Sequence, residues 1–212
     1  MARFVFLGDS ITDAGRNKDL DLHDSSYGYG YVRSLVAKLF LDDFNNVVYN
    51  RGISGHRSVD LYARIKSDVW NLSPDILTIL VGVNDVWHEI ECDNGVDIKR
   101  YENVYRAMIS ETLERVPNVK IILIEPFFIK GPATEEHFDK FLVVKDYAKV
   151  VDKLAKEFNL PIVKIQDKLE MLSKENGELY CSGDGVHLNV VGSEILAEEW
   201  YKVYLNFINS NN

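Results

Sequence analysis

The chain contains 212 residues, with 33 acidic and 24 basic side chains and a formal net charge of −9 at pH 7. This length suits one domain with a full hydrophobic core, so we predict a single domain over residues 1–212. The negative charge and the lack of a basic cluster argue against nucleic acid or an anionic membrane as a partner, and they favour a neutral small molecule. Composition does not decide between a monomer and a homo-oligomer.

Targeting and redox signals are sparse. A four-residue apolar run follows Arg3, which is too short for the core of a signal peptide, and no later stretch is long enough to span a membrane. The two cysteines, Cys92 and Cys181, lie far apart without metal-binding spacing, and a structural disulfide is not expected in a reducing compartment. We therefore predict a cytoplasmic protein with free thiols and with neither a metal nor another cofactor.

The first predicted element is a buried strand over residues 4–7, whose consecutive apolar side chains suit a strand covered on both faces. Gly8 lets the backbone turn sharply after it, and Ser10 then lies just past the carboxyl end of the strand, where open parallel sheets bind ligands. The alternative is that Asp9 or Ser10 only caps a following helix, because such short polar tripeptides are common. The rest of the chain decides between these interpretations.

Strands and helices alternate beyond this turn. Apolar runs predict further strands over residues 47–49, 75–81, 120–124 and 161–165. Helical periodicity predicts helices over residues 32–40, 59–70, 98–115, 135–158 and 190–207, with loops over residues 18–26 and 82–93 and a helix plus an irregular stretch over residues 166–183. Five successive β-α units predict an α/β three-layer sandwich, a five-stranded parallel sheet with helices on both faces.

Four short blocks hold residue types used in acyl-transfer chemistry. They are Gly8-Asp9-Ser10-Ile11, Asn50-Arg51-Gly52-Ile53-Ser54-Gly55, Val81-Gly82-Val83-Asn84-Asp85 and Asp184-Gly185-Val186-His187. In type and order they resemble the blocks of the SGNH hydrolases, also called the GDSL family of esterases and lipases, and the resemblance runs from Phe4 to the final helix. It implies the flavodoxin-like strand order 2-1-3-4-5, in which strands 1 and 3 are neighbours and bring Ser10 beside Asn84. Ile11 replaces the leucine of the GDSL name, and the Gly-x-Ser-x-Gly pattern of α/β-hydrolases is absent.

The blocks supply the groups that a serine nucleophile needs. A serine hydroxyl requires a base, and histidine has an ordinary pKa that suits this task near neutral pH. We assign Ser10 as the nucleophile and His187 as the base, with Asp184, in the same turn, as the carboxylate that orients the imidazole. The resemblance implies an oxyanion hole made by the backbone N–H of Ser10, the Asn84 amide and a glycine N–H after strand 2.

That glycine is either Gly52 or Gly55, and the spacing of this block in family members favours Gly55. We expect Asp9 to brace the first loop by accepting hydrogen bonds from backbone N–H groups. Candidate substrate contacts are Asp9, Trp87 and Tyr27, and Tyr29 is a further aromatic residue near the presumed site, although ordinary packing is the simpler role for each ring. The remaining histidines match no block and receive no role: His23, His56, His88 and His137.

The resulting hypothesis is a serine esterase that cleaves short, acetyl-type esters through an acyl-enzyme. The form of the first block resembles the bacterial branch that includes carbohydrate acetylesterases, and no long apolar insertion is present that would form an acyl tunnel. Two alternatives within the family are an acyl-CoA thioesterase and a lysophospholipase. A noncatalytic glycan-binding module would lack a triad member or an oxyanion donor, and a metallohydrolase using Asp9, His56, Asp184 and His187 lacks the short ligand spacing of metal sites.

Overall fold

The central element of the fold is a parallel sheet. The computed structural model describes residues 1–209, and within them five strands form one sheet in the order β2-β1-β3-β4-β5. The strands are β1 (Arg3–Gly8), β2 (Val47–Gly52), β3 (Ile76–Leu80), β4 (Lys120–Ile124) and β5 (Ile162–Val163). The predicted parallel sheet and its strand order are confirmed. Because β1 pairs with both β2 and β3, Gly8 lies level with Gly52 on one side and Leu80 on the other.

Helices cover both faces of this sheet, which makes the predicted three-layer sandwich. Their bounds are α1 (Ser10–Asp13), α2 (Tyr31–Asp42), α3 (Ser58–Asp68), α4 (Val83–Cys92), α5 (Ile98–Arg115), α6 (Phe138–Phe141), α7 (Val144–Glu157), α8 (Gln166–Asn176) and α9 (Val190–Asn209), with short 3₁₀ turns at Asp24–Tyr27 and Trp70–Leu72. One layer pairs α2 with α9, and the other packs α5 between α3 and α7. Among residues 1–209, no helix is long and apolar enough to cross a membrane.

The last helix closes the core beneath the central strands. Trp200 of α9 is fully buried, and its ring lies against Phe4 and Phe6 of β1, with centroid distances of 6.5 and 5.4 Å. Its indole N–H also donates to Thr78 Oγ1 of β3 at 2.9 Å. Truncating a buried aromatic side chain of this kind typically costs about 3–5 kcal/mol of stability. The contact therefore ties α9, and the segment just before it, to β1.

Two sequence predictions were wrong at the level of single elements. Residues 82–93 were expected to be a loop, but Val83–Cys92 forms α4. The glycine at 82 and the Asn84-Asp85 pair read as turn residues, whereas Val83, Val86 and Trp87 follow helical spacing and pack inward.

The predicted helix over residues 135–158 is broken into α6 and α7, and the residues before α6 are irregular. Part of the reason is that the preceding segment binds another loop. The backbone N–H of Ile129 donates to Gly185 O, and that of Ala133 donates to Asp184 O, both at 2.8 Å. These contacts steady the loop that carries His187.

Candidate active site

Ser10 begins the short helix α1 at the carboxyl edge of the sheet. β1 ends at Gly8, and Asp9 caps the helix by accepting a hydrogen bond from the backbone N–H of Ile11 at 3.0 Å. The expected bracing role of Asp9 is thus confirmed in its geometry. Both interpretations of the first block hold together, because Asp9 caps the helix while Ser10 faces the cleft.

The carboxyl group of Asp9 is nearly inaccessible, with 1% of the residue exposed, and its Oδ2 has no hydrogen-bond partner among the described residues. Burial raises the pKa of Asp9 to about 7, and the positive His187 and Arg64 act against that rise. A buried carboxyl group with a raised pKa therefore stands next to the serine in the chain.

The structure brings Ser10, His187 and Asp184 into one line of hydrogen bonds. His187 Nε2 lies 2.8 Å from Ser10 Oγ, and His187 Nδ1 lies 2.6 Å from Asp184 Oδ2. Since an ionised carboxylate only accepts, Nδ1 carries the proton in the neutral imidazole and Nε2 is left as the acceptor facing the serine. This is the tautomer that a base for Ser10 requires.

The Asp184–His187 turn organises itself through the carboxylate. Asp184 Oδ1 accepts from the backbone N–H groups of Val186 and His187, each at 2.8 Å. Ser182 Oγ accepts from the N–H of Gly185 at 2.8 Å and donates to the carbonyl of His187 at 2.7 Å. The short spacing seen in sequence is therefore a compact turn in which one carboxylate orients both backbone and ring.

The charges in this turn support each other. The hydrogen bond that the His187 ring donates to Asp184 raises the pKa of His187 above its ordinary value, although partial burial acts the other way. Burial alone would raise the pKa of Asp184, but hydrogen bonds from the His187 ring and from backbone N–H groups outweigh it and hold that pKa well below its usual range. Asp184 is consequently ionised at neutral pH.

Asn84 lies in the first turn of α4, at the carboxyl end of β3, and only 4% of it is exposed. One N–H of its amide donates to the carbonyl of His56 at 3.0 Å. A side-chain amide has two N–H groups, so a second donor is held in a fixed direction by the first. The neighbouring Asp85 is buried and accepts from the N–H and hydroxyl of Ser58, so it does not contact His187.

The two glycines after β2 differ in what their N–H groups do. The N–H of Gly52 donates to Asn50 Oδ1 at 2.9 Å, and a Cβ at this position would lie 2.0 Å from the backbone nitrogen of Asp13. Gly52 is therefore required for close packing. Gly55 has a left-handed φ of +80° and open space around its Cβ position. The adjacent Ser54 is tied to Asp13 Oδ2 by its N–H at 3.0 Å and its hydroxyl at 2.9 Å.

A cleft of about 250 Å³ opens beside Ser10 and His187. It is lined by Ser10, Ile11, Ala14, Gly15, Tyr29, Gly30, Ser54, His187, Leu188 and Ser193. The candidate substrate contacts Asp9, Tyr27 and Trp87 are not among these residues; Asp9 is 1% exposed and the Tyr27 ring is buried near Phe40. Tyr29 is 76% exposed and borders the cleft, and the half-buried Trp87 ring lies 6.0 Å from the His187 ring.

Two residues without a role in the sequence analysis also belong to this region. His56 follows Gly55 and accepts the Asn84 amide, and Arg64 of α3 donates to the His56 ring. Neither residue is marked by a spacing that sequence reasoning recognises, because their contacts come from distant elements. Within residues 1–209, no group of three or more His, Cys, Asp or Glu side chains is arranged to hold a metal ion.

Comparison with known proteins places this fold and site in a family. The chain matches the GDSL-like Lipase/Acylhydrolase family over residues 6–195. It is 32% identical over 207 residues to an acetylxylan esterase from Geobacillus stearothermophilus, an alignment covering 94% of this chain and 92% of that protein. A GDSL esterase/lipase from Arabidopsis thaliana is 25% identical over 222 residues, covering 94% and 84% of the two chains.

Solved structures agree with these matches. A GDSL-like lipase from Parabacteroides merdae superimposes with a TM-score of 0.90 at 34% identity, covering 95% of this chain and 94% of that one. The Geobacillus acetylxylan esterase gives a TM-score of 0.85 at 32% identity, covering 95% and 93%. The class of protein is thus a carboxylic ester hydrolase. More narrowly, the chain belongs to the GDSL-like lipase/acylhydrolase family.

Proposed function

We propose that this protein hydrolyses short-chain, acetyl-type esters, with carbohydrates as the alcohol component, through Ser10, His187 and Asp184. The observation that carries the proposal is the unbroken line from Ser10 Oγ to His187 Nε2 and from His187 Nδ1 to Asp184, at 2.8 and 2.6 Å. These distances allow proton transfer from the hydroxyl without rearrangement of the site.

The reaction has two halves. His187 Nε2 accepts the proton as Ser10 Oγ bonds to the ester carbonyl carbon, and the tetrahedral intermediate collapses as the alcohol leaves with that proton. Water then loses a proton to His187 and attacks the acyl-enzyme, and collapse of the second intermediate returns the proton to Ser10 Oγ and releases the acid. Asp184 stays ionised throughout and stabilises the imidazolium.

The negative oxygen of each intermediate needs fixed donors. We assign this role to the backbone N–H groups of Ser10 and Gly55 and to the second amide N–H of Asn84. The engaged N–H of Gly52 and the open surroundings of Gly55 support the choice between the two glycines. The first helical N–H groups of α1 have no carbonyl of that helix to donate to, which supports Ser10 as a donor.

The size and walls of the cleft support a short acyl group. Its volume of about 250 Å³ is below that of pockets which enclose drug-sized ligands, and its lining includes three serine hydroxyls and only a few apolar side chains. The exposed ring of Tyr29 at its edge offers a flat surface for a pyranose. The acetylxylan esterase among the relatives is consistent with a sugar as the leaving group.

The free thiols support a cytoplasmic location for this activity. The net charge of −9 suits a neutral substrate, and Cys92 and Cys181 are free, one exposed and one buried.

The first test is Ser10→Ala with p-nitrophenyl acetate as the substrate. We expect kcat to fall by at least about 10⁴-fold, because the nucleophile is lost while the fold is retained. Ser193→Ala, which removes a second hydroxyl from the same cleft, is the matched control and should keep most of the activity. A serine-directed phosphonate should label Ser10, and labelling of Cys92 or Cys181 instead would overturn the nucleophile assignment.

The acyl preference is tested by kcat/KM for p-nitrophenyl esters from acetate to decanoate, followed by acetylated xylo-oligosaccharides. Each buried methylene is worth roughly 0.8 kcal/mol, so an acyl tunnel would raise kcat/KM steeply with chain length. We expect a flat or falling series from the open cleft. An optimum at octanoate or beyond would favour the lysophospholipase or thioesterase alternative.

A further inference from the structure

Arg64 of α3 connects several parts of the site at once. Its side chain is 13% exposed, and it donates from Nη2 to Gly8 O at 2.9 Å, from Nη1 to Arg51 O at 2.9 Å and from Nε to His56 Nδ1 at 3.1 Å. Asp68, one helical turn further along α3, accepts from Nη1 and holds the guanidinium in place. Three of these four partners lie at the carboxyl edge of the sheet.

Those partners adjoin each proposed oxyanion donor. Gly8 ends β1 and lies two positions before Ser10. His56 follows Gly55 directly, and its carbonyl accepts the Asn84 amide at 3.0 Å. Arg64 therefore holds the strand end that leads to the Ser10 donor. Through the His56 ring it also holds the residue that follows the Gly55 donor and whose carbonyl fixes the Asn84 amide.

An arginine is chemically suited to this task. The guanidinium is planar, always charged at neutral pH, and presents five N–H donors in fixed directions, so three separated acceptors can be held in one geometry. The His56 ring completes the arrangement, because its Nδ1 accepts from Arg64 and must therefore be unprotonated. Burial and the positive charge of Arg64 lower the pKa of His56, which keeps the imidazole neutral.

We propose that Arg64 is a positioning residue that sets the geometry of the oxyanion hole, and this inference rests on the proposed function. The reaction depends on donors that are already aimed at the oxygen before charge develops, and a displacement of about 1 Å can cost on the order of 10²-fold in rate. Arg64 makes no contact with the cleft itself and is not among its lining residues. It should thus affect the chemical step and leave substrate binding almost unchanged.

The test compares Arg64→Met and Arg64→Lys with two control variants, using p-nitrophenyl acetate and thermal unfolding. We expect Arg64→Met to lower kcat by about 10–10²-fold with little change in KM, and Arg64→Lys to recover only part of it. Asp68→Asn keeps a side-chain oxygen that can accept from Arg64 Nη1 and removes only the charge, so we expect a loss of kcat well below that of Arg64→Met. Arg106→Met removes a guanidinium that, among residues 1–209, is bonded to Glu102 of α5 and Glu157 of α7. It is not among the residues lining the cleft, so it should affect stability alone.

A double variant separates positioning from general support of the fold. If Arg64 acts through the oxyanion donors, Arg64→Met should lower kcat less in an Asn84→Ala background than in the wild type, because the two changes damage the same interaction. A loss of thermal stability with unchanged kcat, a change confined to KM, or fully additive effects on kcat would each overturn the inference. If Arg64→Met does not fold, Arg64→Lys carries the same comparison.

Failure of this inference and failure of the proposed function give different results. An active Ser10→Ala enzyme would reject the proposed function itself. Activity that depends on Ser10 and Asn84 but is indifferent to Arg64 would reject only the positioning role.

Discussion

The two sides of Ser10 are built differently. On the side of β2 and β3, Asn84 is 4% exposed. The loop after β2 is held there by side chains from distant elements: Arg64 bonds to Gly8 O and to the His56 ring, and Asp13 bonds to Ser54. On the other side, the side chains of His187 and Asp184 are 43% and 34% exposed and are organised mainly by their own turn.

The difference matches the tasks proposed for the two sides. An oxyanion must meet dipoles that are already fixed, which a buried framework provides. A base that becomes an imidazolium must carry positive charge for part of each cycle, and full burial would penalise that state. The buried side with Asn84 would thus stabilise negative charge on the substrate, while the more exposed side with His187 would accept and return a proton.

Asp184→Asn should have the largest effect on activity, because it disrupts the His187–Asp184 turn that accepts the proton. The amide can donate to His187 Nδ1 and so favour the wrong tautomer, and we expect the plateau of kcat/KM to fall by about 10⁴-fold. Since Asp184 raises the pKa of His187, the acid limb of the profile should also move to lower pH.

The measurement is kcat/KM across pH 4–9 for wild type, Asp184→Asn and Asp85→Asn. Asp85 is a buried carboxyl group bonded to Ser58, so its variant should leave the position of the acid limb unchanged. An undiminished Asp184→Asn enzyme would show that another carboxylate orients the histidine.

Asn84→Ala should have the next largest effect on activity, because it removes a side chain from the buried side of the site. Removal of one oxyanion donor should lower kcat by about 10²–10³-fold with little change in KM, because the amide matters mainly when charge forms. Asn46→Ala is the matched control, since the Asn46 amide also donates to a backbone carbonyl, Leu39 O at 2.9 Å, but lies far from the cleft. Equal losses of kcat in the two variants would remove Asn84 from the oxyanion hole.

Asp9→Asn should have the smallest effect on activity. It tests whether the charge of Asp9 influences the pKa of His187. Ionised Asp9 raises the pKa of His187, so the acid limb of kcat/KM should move to lower pH while most of the plateau activity is kept. The asparagine Oδ1 can still cap α1, so a collapse of activity would indicate a more direct role.

Asp9→Asn should also change the dependence of stability on pH. Folded Asp9 has a pKa of about 7, against an ordinary value of 3.8 for an exposed aspartate, so the folded state retains a proton that the unfolded chain has released. The free energy of unfolding therefore contains a contribution that falls as pH rises from about 4 to 7, and Asp9→Asn removes it. Urea unfolding at several pH values measures this difference.

The sequence predicted the parts of the site whose contacts are local or repeat a known spacing. The Asp184–His187 turn is such a case, because one carboxylate three residues from the histidine can reach both its ring and its N–H. The strand order came from the family resemblance, and the apolar runs located β1, β3 and β4 closely.

What the sequence did not predict depends on distant partners. Arg64 was passed over because three of its four acceptors lie 8 to 56 positions away and are backbone carbonyls or a histidine with no assigned role. Tyr27 and Tyr29 could not be told apart by sequence, although the first ring is buried in the core and the second is exposed, with Gly28 in a left-handed conformation between them. Helix α4 was not predicted because turn-forming residues stand at its start.

The separation of 177 positions between Ser10 and His187 also has a consequence for how the proposed activity would first arise. During synthesis β1 emerges before the segment that carries His187, so Ser10 would have no base until that segment is made and α9 docks on β1 through Trp200. Contacts this remote in sequence are slow to close, because a long loop must lose its freedom first. Regain of hydrolysis after dilution from denaturant should therefore report the last stage of assembly, later than the recovery of helical signal.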